Sequence, residues 1–152
     1  MGYTFTIGNA VPQHSTEDFP YLSASWEVEP MEHPDAPDLP NDFSGKRNER
    51  SPSYSVWSDF LKEVGLYDLL MNERGFPVGG HPGCSGLTEE MADRISETRR
   101  KFEEKAVLPA GFEPFGHTGP AKCDYTLARL IWLDWWVRWA VDNCETPAIS
   151  NI

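Results

Sequence analysis

Residues Asp124–Cys144 read DYTLARLIWLDWWVRWAVDNC, and this stretch decides the fold. Asp124 is placed to cap a helix, and Pro147 lies just beyond its end. On a wheel of about 100° per residue, Asp134, Arg138, Asp142 and Glu145 occupy a polar arc roughly 80° wide. Trp132, Leu133, Trp135, Trp136, Val137, Trp139, Ala140 and Val141 cover most of the remaining circumference. A helix apolar nearly all round is packed on several sides, so it is expected to be central. Asp134–Arg138 and Arg138–Asp142 are spaced to pair along one exposed line.

The elements laid around this helix follow from the rest of the chain. Tyr3, Phe5 and Ile7 alternate with Thr4 and Thr6, the period of a half-buried strand, which Gly8–Asn9 then breaks. Leu22, Ala24, Trp26 and Val28 alternate with Ser23, Ser25, Glu27 and Glu29, a second strand expected to pair antiparallel with the first. Ser51-Pro52 reads as a helix start, followed by Tyr54, Trp57, Phe60, Leu61 and Val64 at helical steps and a Gly65 stop. Leu66–Leu70 continues as a short apolar segment. Thr88 opens another helix with a thin stripe of Met91, Ile95, Phe102 and Ala106, laced by Glu90–Arg94, Glu97–Lys101 and Arg100–Glu104. Pro30–Ser53, Asn72–Gly86 and the stretch from Pro109 through Phe112, Phe115 and His117 to Cys123 read as long loops. The expected architecture is α+β in one domain spanning residues 1–152. A short N-terminal antiparallel sheet packs on about three helices around the tryptophan-rich one.

The chain has 152 residues, 24 Asp plus Glu against 13 Lys plus Arg, and a formal charge of −11. That balance argues against wrapping nucleic acid or coating an anionic membrane, both of which need a cationic footprint. No apolar run reaches the roughly 18–20 residues of a membrane span, and the N-terminus does not read as a signal peptide. Three cysteines do not read as a disulfide framework, so a cytoplasmic setting is expected. Residues 1–53 hold nine acids and three bases, a net of −6, much of it on the proline-punctuated segment.

Several constellations bear on chemistry. Arg129 projects from the apolar side of the last helix near Leu133, Trp136 and Ala140. Either its guanidinium pairs with an acid from elsewhere or its stem lies on a tryptophan, or else it holds an anionic ligand on an aromatic floor that includes Trp136. His81, and His117 in a neighbouring loop, are the further candidates to line such a pocket. Gly79–Gly86 is glycine-rich ahead of a helix, but it lacks the Lys-Ser/Thr ending of a phosphate loop, and Glu89 and Glu90 already occupy the helix end. His81 and Cys84, with His117 and Cys123, could in principle ligate zinc. The two halves lie more than thirty residues apart and neither has a close ligand pair, so no metal and no cofactor is expected. His14-Ser15-Thr16 fits one H-x-T element of two-histidine phosphoesterases, but His33, His81 and His117 are followed at +2 by Asp35, Gly83 and Gly119. Glu90–Asp93 matches half of the metal motif of all-helical nucleotide pyrophosphohydrolases, with no E-x-x-E before it.

Tyr3–Ala10, Tyr54–Leu70 and Tyr125–Ile149 are similar to segments of small uncharacterised proteins of tailed bacteriophages. The resemblance implies a host-cytoplasmic accessory role in host takeover or anti-defence, and it assigns no catalytic residue. The leading expectation is a non-enzymatic inhibitor that engages a host protein through Glu27, Glu29, Glu32, Asp35, Asp38 and Asp42. A protein that sequesters a small, nucleotide-like anion is the second. A small hydrolase using His14, His81 or His117 is the third, since no nucleophile, base and orienting group stand together in the sequence. A homo-oligomer is compatible with all three.

Overall fold

The computed structural model describes residues 2–12, 26–38, 45–105 and 125–152. Expectations resting on His14, Leu22–Ser25, Asp42, Ala106, His117, Cys123 and Asp124 lie outside these residues. The fold is α+β: a curled antiparallel sheet packed on four helices, with the tryptophan-rich helix against it.

Strand β1 (Phe5–Pro12) is the hub of the sheet. It does not stop at Gly8–Asn9 as the sequence suggests, because both residues are paired on β5 (Pro147–Asn151), with Gly8 opposite Ala148 and Asn9 opposite Pro147. Thr146 N–H also donates to Asn9 Oδ1 at 2.7 Å. The other edge of β1 is shared. β2 (Trp26–Val28) pairs with Ala10–Pro12, as its alternation predicts, while β3 (Glu49–Arg50) pairs with Phe5 and Thr6. Between them Asn48 fills the gap. Its backbone C=O accepts from Ile7 N–H at 3.1 Å, and its side-chain Nδ2 donates to Ile7 O at 2.8 Å and Glu29 O at 3.0 Å. Gly8 is the residue that permits this, since a Cβ there would lie 3.1 Å from Val28 and 3.4 Å from the Asn48 amide.

The Pro30–Ser53 segment is therefore not simply a surface loop. Glu49–Arg50 within it form β3, and Asn48 and Arg50 are buried there. Arg50 tolerates burial with its guanidinium 5.9 Å from the Trp57 ring and 5.7 Å from the Trp132 ring. The glycine-rich loop is likewise part sheet. Its last four residues form β4 (Gly83–Gly86) against β5, where small residues let strands approach closely. β2 also approaches β4 and β5, so the sheet curls, and Ala10, Val28, Cys84 and Ala148 pack together inside the curl.

The opposite face of the sheet, with Tyr3, Phe5, Ile7 and Ile149, packs into the main core. Helix α1 (Tyr54–Val64) is capped by Ser53, whose Oγ accepts from Val56 N–H, and it ends at Gly65 in the left-handed region with φ 76°. The start falls two residues later than Ser51-Pro52 suggests, because Pro52 O accepts from Tyr3 N–H and holds that stretch alongside the N-terminal strand. Helix α2 (Tyr67–Leu70) follows, then α3 (Glu89–Lys105), with Thr88 Oγ1 accepting from Met91 N–H.

Helix α4 (Tyr125–Asn143) buries Leu127, Ala128, Leu130–Leu133, Trp136, Val137 and Ala140, so it is wrapped on several sides as expected. Half of its polar arc is turned to a neighbouring helix, while Asp142 and Glu145 are exposed as expected. Asp134 accepts from Ser96 Oγ and from Arg99, and Arg138 is clamped by Glu89 at 2.6 Å and Asp93 at 2.7 Å. Asp134 and Arg138 form the seam with α3, and Asp134 keeps only 15% of its side chain exposed. A wheel separates polar from apolar directions, but it cannot tell water from a neighbouring helix that carries complementary charges. On α3 itself, Arg100 pairs with Glu97 and Glu104, and Lys101 reaches Glu97 at 3.7 Å. Arg94 instead turns to Asp68 and to Gly65 O, tying α3 to the end of α1. Among the described residues, no helix is long and apolar enough to cross a membrane.

Candidate functional site

Two of the clefts on the described surface differ in chemistry. The first forms where the start of α1, the end of β5 and the turn before β4 meet. Asn151, the last residue of β5, is buried, and its Nδ2 donates to Gly80 O at 2.7 Å. That bond orients the amide, because the reverse orientation would set two oxygens against each other. Asn151 Oδ1 therefore faces His81 and accepts from Nδ1–H at 3.0 Å. The neutral imidazole then carries its lone pair on Nε2, which lies 3.3 Å from Tyr54 Oη and accepts from that hydroxyl. The ring is also boxed in: Tyr3 and Tyr54 both stand nearly perpendicular to it, with centroids 5.3 and 5.9 Å away. Burial, with Tyr54 and Tyr67 nearby, raises the Tyr3 phenol above its ordinary range and keeps it neutral. The cleft in front of this group has a volume of about 330 Å³ and is lined by Tyr3, Tyr54, Ser55, Ser58, Phe76 and His81.

The turn carrying His81 is shaped by glycine. Gly79 has φ +90°, and a Cβ there would come 2.6 Å from Cys84 O, so the loop lies flat against β4. A Cβ on Gly83 would meet Gly79 O at 2.0 Å, which makes the two glycines mutually dependent. The glycine richness thus serves close backbone packing, not an anion cradle.

The second cleft, of about 310 Å³, lies between the acidic segment and α4 and is lined by Asp35, Asp38, Lys46, Arg99, Ile131 and Trp135. Both of its cations are engaged: Lys46 Nζ donates to Pro34 O at 2.7 Å, and Arg99 is held by Glu103 and Asp134. His33 lies against Trp135 and Trp139, with centroids 5.2 and 5.7 Å away. Glu27, Glu29, Glu32 and Asp35 are exposed along the same segment, and Asp38 is half-buried. Their backbone is fixed. Met31 and Asn48 exchange hydrogen bonds, Glu32 bridges to Arg47, and Asp35 N–H donates to His33 Nδ1.

Of the candidate ligand residues that are described, His81 alone lines the first cleft. Arg129 sits with its guanidinium 5.7 Å from the Tyr125 ring. Trp136 is fully buried between Trp135 and Trp139, so it forms no floor of an open pocket. Tyr54 and Asn151 carry no site signal in the sequence. Asn151 lies seventy positions from His81, and only the pairing of β4 with β5 brings the two together.

His81 and Cys84 do not converge on a common point. The imidazole faces Asn151 and Tyr54, whereas Cys84 packs inside the sheet curl. Among the described residues no group of three or more His, Cys, Asp or Glu is placed to hold a metal ion. Burial pushes the Cys84 thiol up to about 12 and also raises Cys144. A thiol so poised is a packing group, not a nucleophile. In the unfolded chain it ionises near its ordinary value of 9.0, so its contribution is complete below that pH and fades as pH rises toward 12. Urea denaturation at about pH 8 and about pH 10.5 should therefore show wild type losing about 2 kcal/mol more than Cys84→Ala over that interval. Equal losses would show that the thiol ionises as readily in the fold as outside it.

Comparison with protein-family models, curated proteins and solved structures finds no match to this chain.

Proposed function

We propose that this is a non-enzymatic binding protein that engages a basic segment of a protein partner through its acidic face. The observation carrying this reading is the fixed backbone under Glu27, Glu29, Glu32 and Asp35, beside a cleft bounded by Trp135. A surface already held in one geometry loses little conformational freedom on docking. A guanidinium or ammonium entering the cleft would meet the carboxylates of Asp35 and Asp38 and the ring of Trp135. The resemblance to small phage proteins favours a host protein as that partner, in the host cytoplasm, with inhibition as the outcome.

The test is capture of host proteins on the immobilised protein at low and high salt. Captured partners should be released between about 50 and 500 mM salt, since exposed charges are screened over that range. Changing Glu27, Glu29, Glu32 and Asp35 together to lysine should abolish capture while leaving the thermal transition in place. Replacing His81 should leave capture intact. Retention of the same partners by the charge-reversed protein would overturn the reading.

A further inference from the structure

The cleft at His81 has no place in the acidic-face reading, and its chemistry is of another kind. Three aromatic side chains surround it, Tyr3, Tyr54 and Phe76, and none of its described lining residues is Asp, Glu, Lys or Arg. Phe76 is 52% exposed, yet it is not on a loose tip. Asn72 Oδ1 accepts from both Arg74 N–H and Phe76 N–H, while Asn72 N–H donates to Phe76 O at 2.7 Å. Val78 N–H donates to Leu70 O, closing the excursion at its base. A large apolar ring held in place at the mouth of a cleft is a stacking surface. In the same lining, the Asn151–His81 pair presents an acceptor at Nε2 and a hydroxyl at Tyr54, and Ser55 and Ser58 line the cleft too. The Tyr54–His81 contact of 3.3 Å is long for a hydrogen bond to a hydroxyl, so a ligand N–H can compete for Nε2 while Tyr54 turns to a ligand acceptor.

We propose that this cleft binds an uncharged nucleoside, its base stacked on Phe76 and its hydrogen-bonding edge read by His81 Nε2 and Tyr54 Oη. A volume of about 330 Å³ is on the scale of small-ligand sites. Every base offers a π-face together with adjacent donors and acceptors, which is the pattern the walls complement. A phosphate would find no cation in the described lining to offset its desolvation, so the site discriminates against nucleotides. This inference is independent of the acidic face, which shares no residue with it.

The experiment is titration of the full chain with adenosine, guanosine, cytidine and uridine and with their 5′-monophosphates, followed by calorimetry and by the imidazole nitrogen signals of His81. At least one nucleoside should saturate below about 5 mM and shift the Nε2 resonance, and its monophosphate should bind about tenfold more weakly. Phe76→Ala, at an exposed position, should keep the melting temperature and weaken binding by about fivefold to a hundredfold. His81→Leu should lower affinity through loss of the acceptor, and Lys46→Ala, in the other cleft, should not. No saturable binding by any of the four nucleosides would overturn the proposal. So would tighter binding of the monophosphates, or affinity untouched by both Phe76→Ala and His81→Leu.

Discussion

Replacing Asn48 by leucine is expected to destabilise the protein by about 3 kcal/mol or more, although leucine matches its volume and is apolar. Asn48 is 0% exposed, and both of its amide protons and its carbonyl oxygen are engaged. Nδ2 donates to Ile7 O and Glu29 O, and Oδ1 accepts from Met31 N–H at 2.7 Å. Those three partners are main-chain groups in the seam between β3 and β2, where water cannot replace the lost bonds without opening the sheet. Each backbone group left unsatisfied costs about 1–3 kcal/mol, so the sum exceeds any gain from leucine's hydrophobicity. Asn48→Asp is expected to be at least as damaging, because a carboxylate would face the oxygens of Ile7 and Glu29 where the amide now donates. Urea denaturation followed by tryptophan fluorescence measures both. A cost below about 1 kcal/mol for leucine would show that the seam admits water and that Asn48 does not hold it shut.

The second large effect is expected at Trp132. Its indole is fully buried, Nε1 donates to Arg47 O at 3.1 Å, and the buried Arg50 guanidinium lies 5.7 Å from its ring centroid. Trp132→Ala should cost about 3–5 kcal/mol through the cavity alone. It also strips an aromatic face from a buried cation, which places the cost at the upper end. Trp132→Phe keeps most of the volume and the face but loses the donor, and should cost about 1–2 kcal/mol. Trp135→Ala, half-buried on the same helix, should cost clearly less than Trp132→Ala. If Trp135 and Trp132 proved equally costly, burial against β3 would not be what distinguishes them. Asn48 and Trp132 grip the same short segment from two sides, so the double substitution should cost less than the two single costs combined.

Much of this architecture is legible in the residue order. The alternation of Tyr3–Ile7 and of Trp26–Val28 marks strands that do pair. Gly65 ends α1 as a left-handed residue, and the tryptophan-rich run is the helix wrapped on several sides. What local patterns miss are elements that exist only because a distant partner completes them. β3 is two residues long, β4 reads Gly-Cys-Ser-Gly, and β5 begins at a proline, so none carries a strand signal of its own. Asp134 and Arg138 read as solvent-facing because their partners Arg99, Glu89 and Asp93 lie on another helix. The site is hidden for the same reason. His81 is conspicuous in sequence, but the asparagine that orients it and the tyrosine that meets it come from elements fixed by tertiary pairing.

The position of β5 also sets an order of events in time. Residues 147–151 are inserted between β1 and β4, so these two strands gain a common neighbour only after all the residues between them and β5 have been synthesised. Until then β1 leaves the ribosome with one edge open and Phe5 and Ile7 uncovered. About half of the residue contacts are long-range, and a topology with so many distant pairings is expected to fold slowly. An unpaired strand edge of this kind is a template for pairing with another chain until its partner arrives.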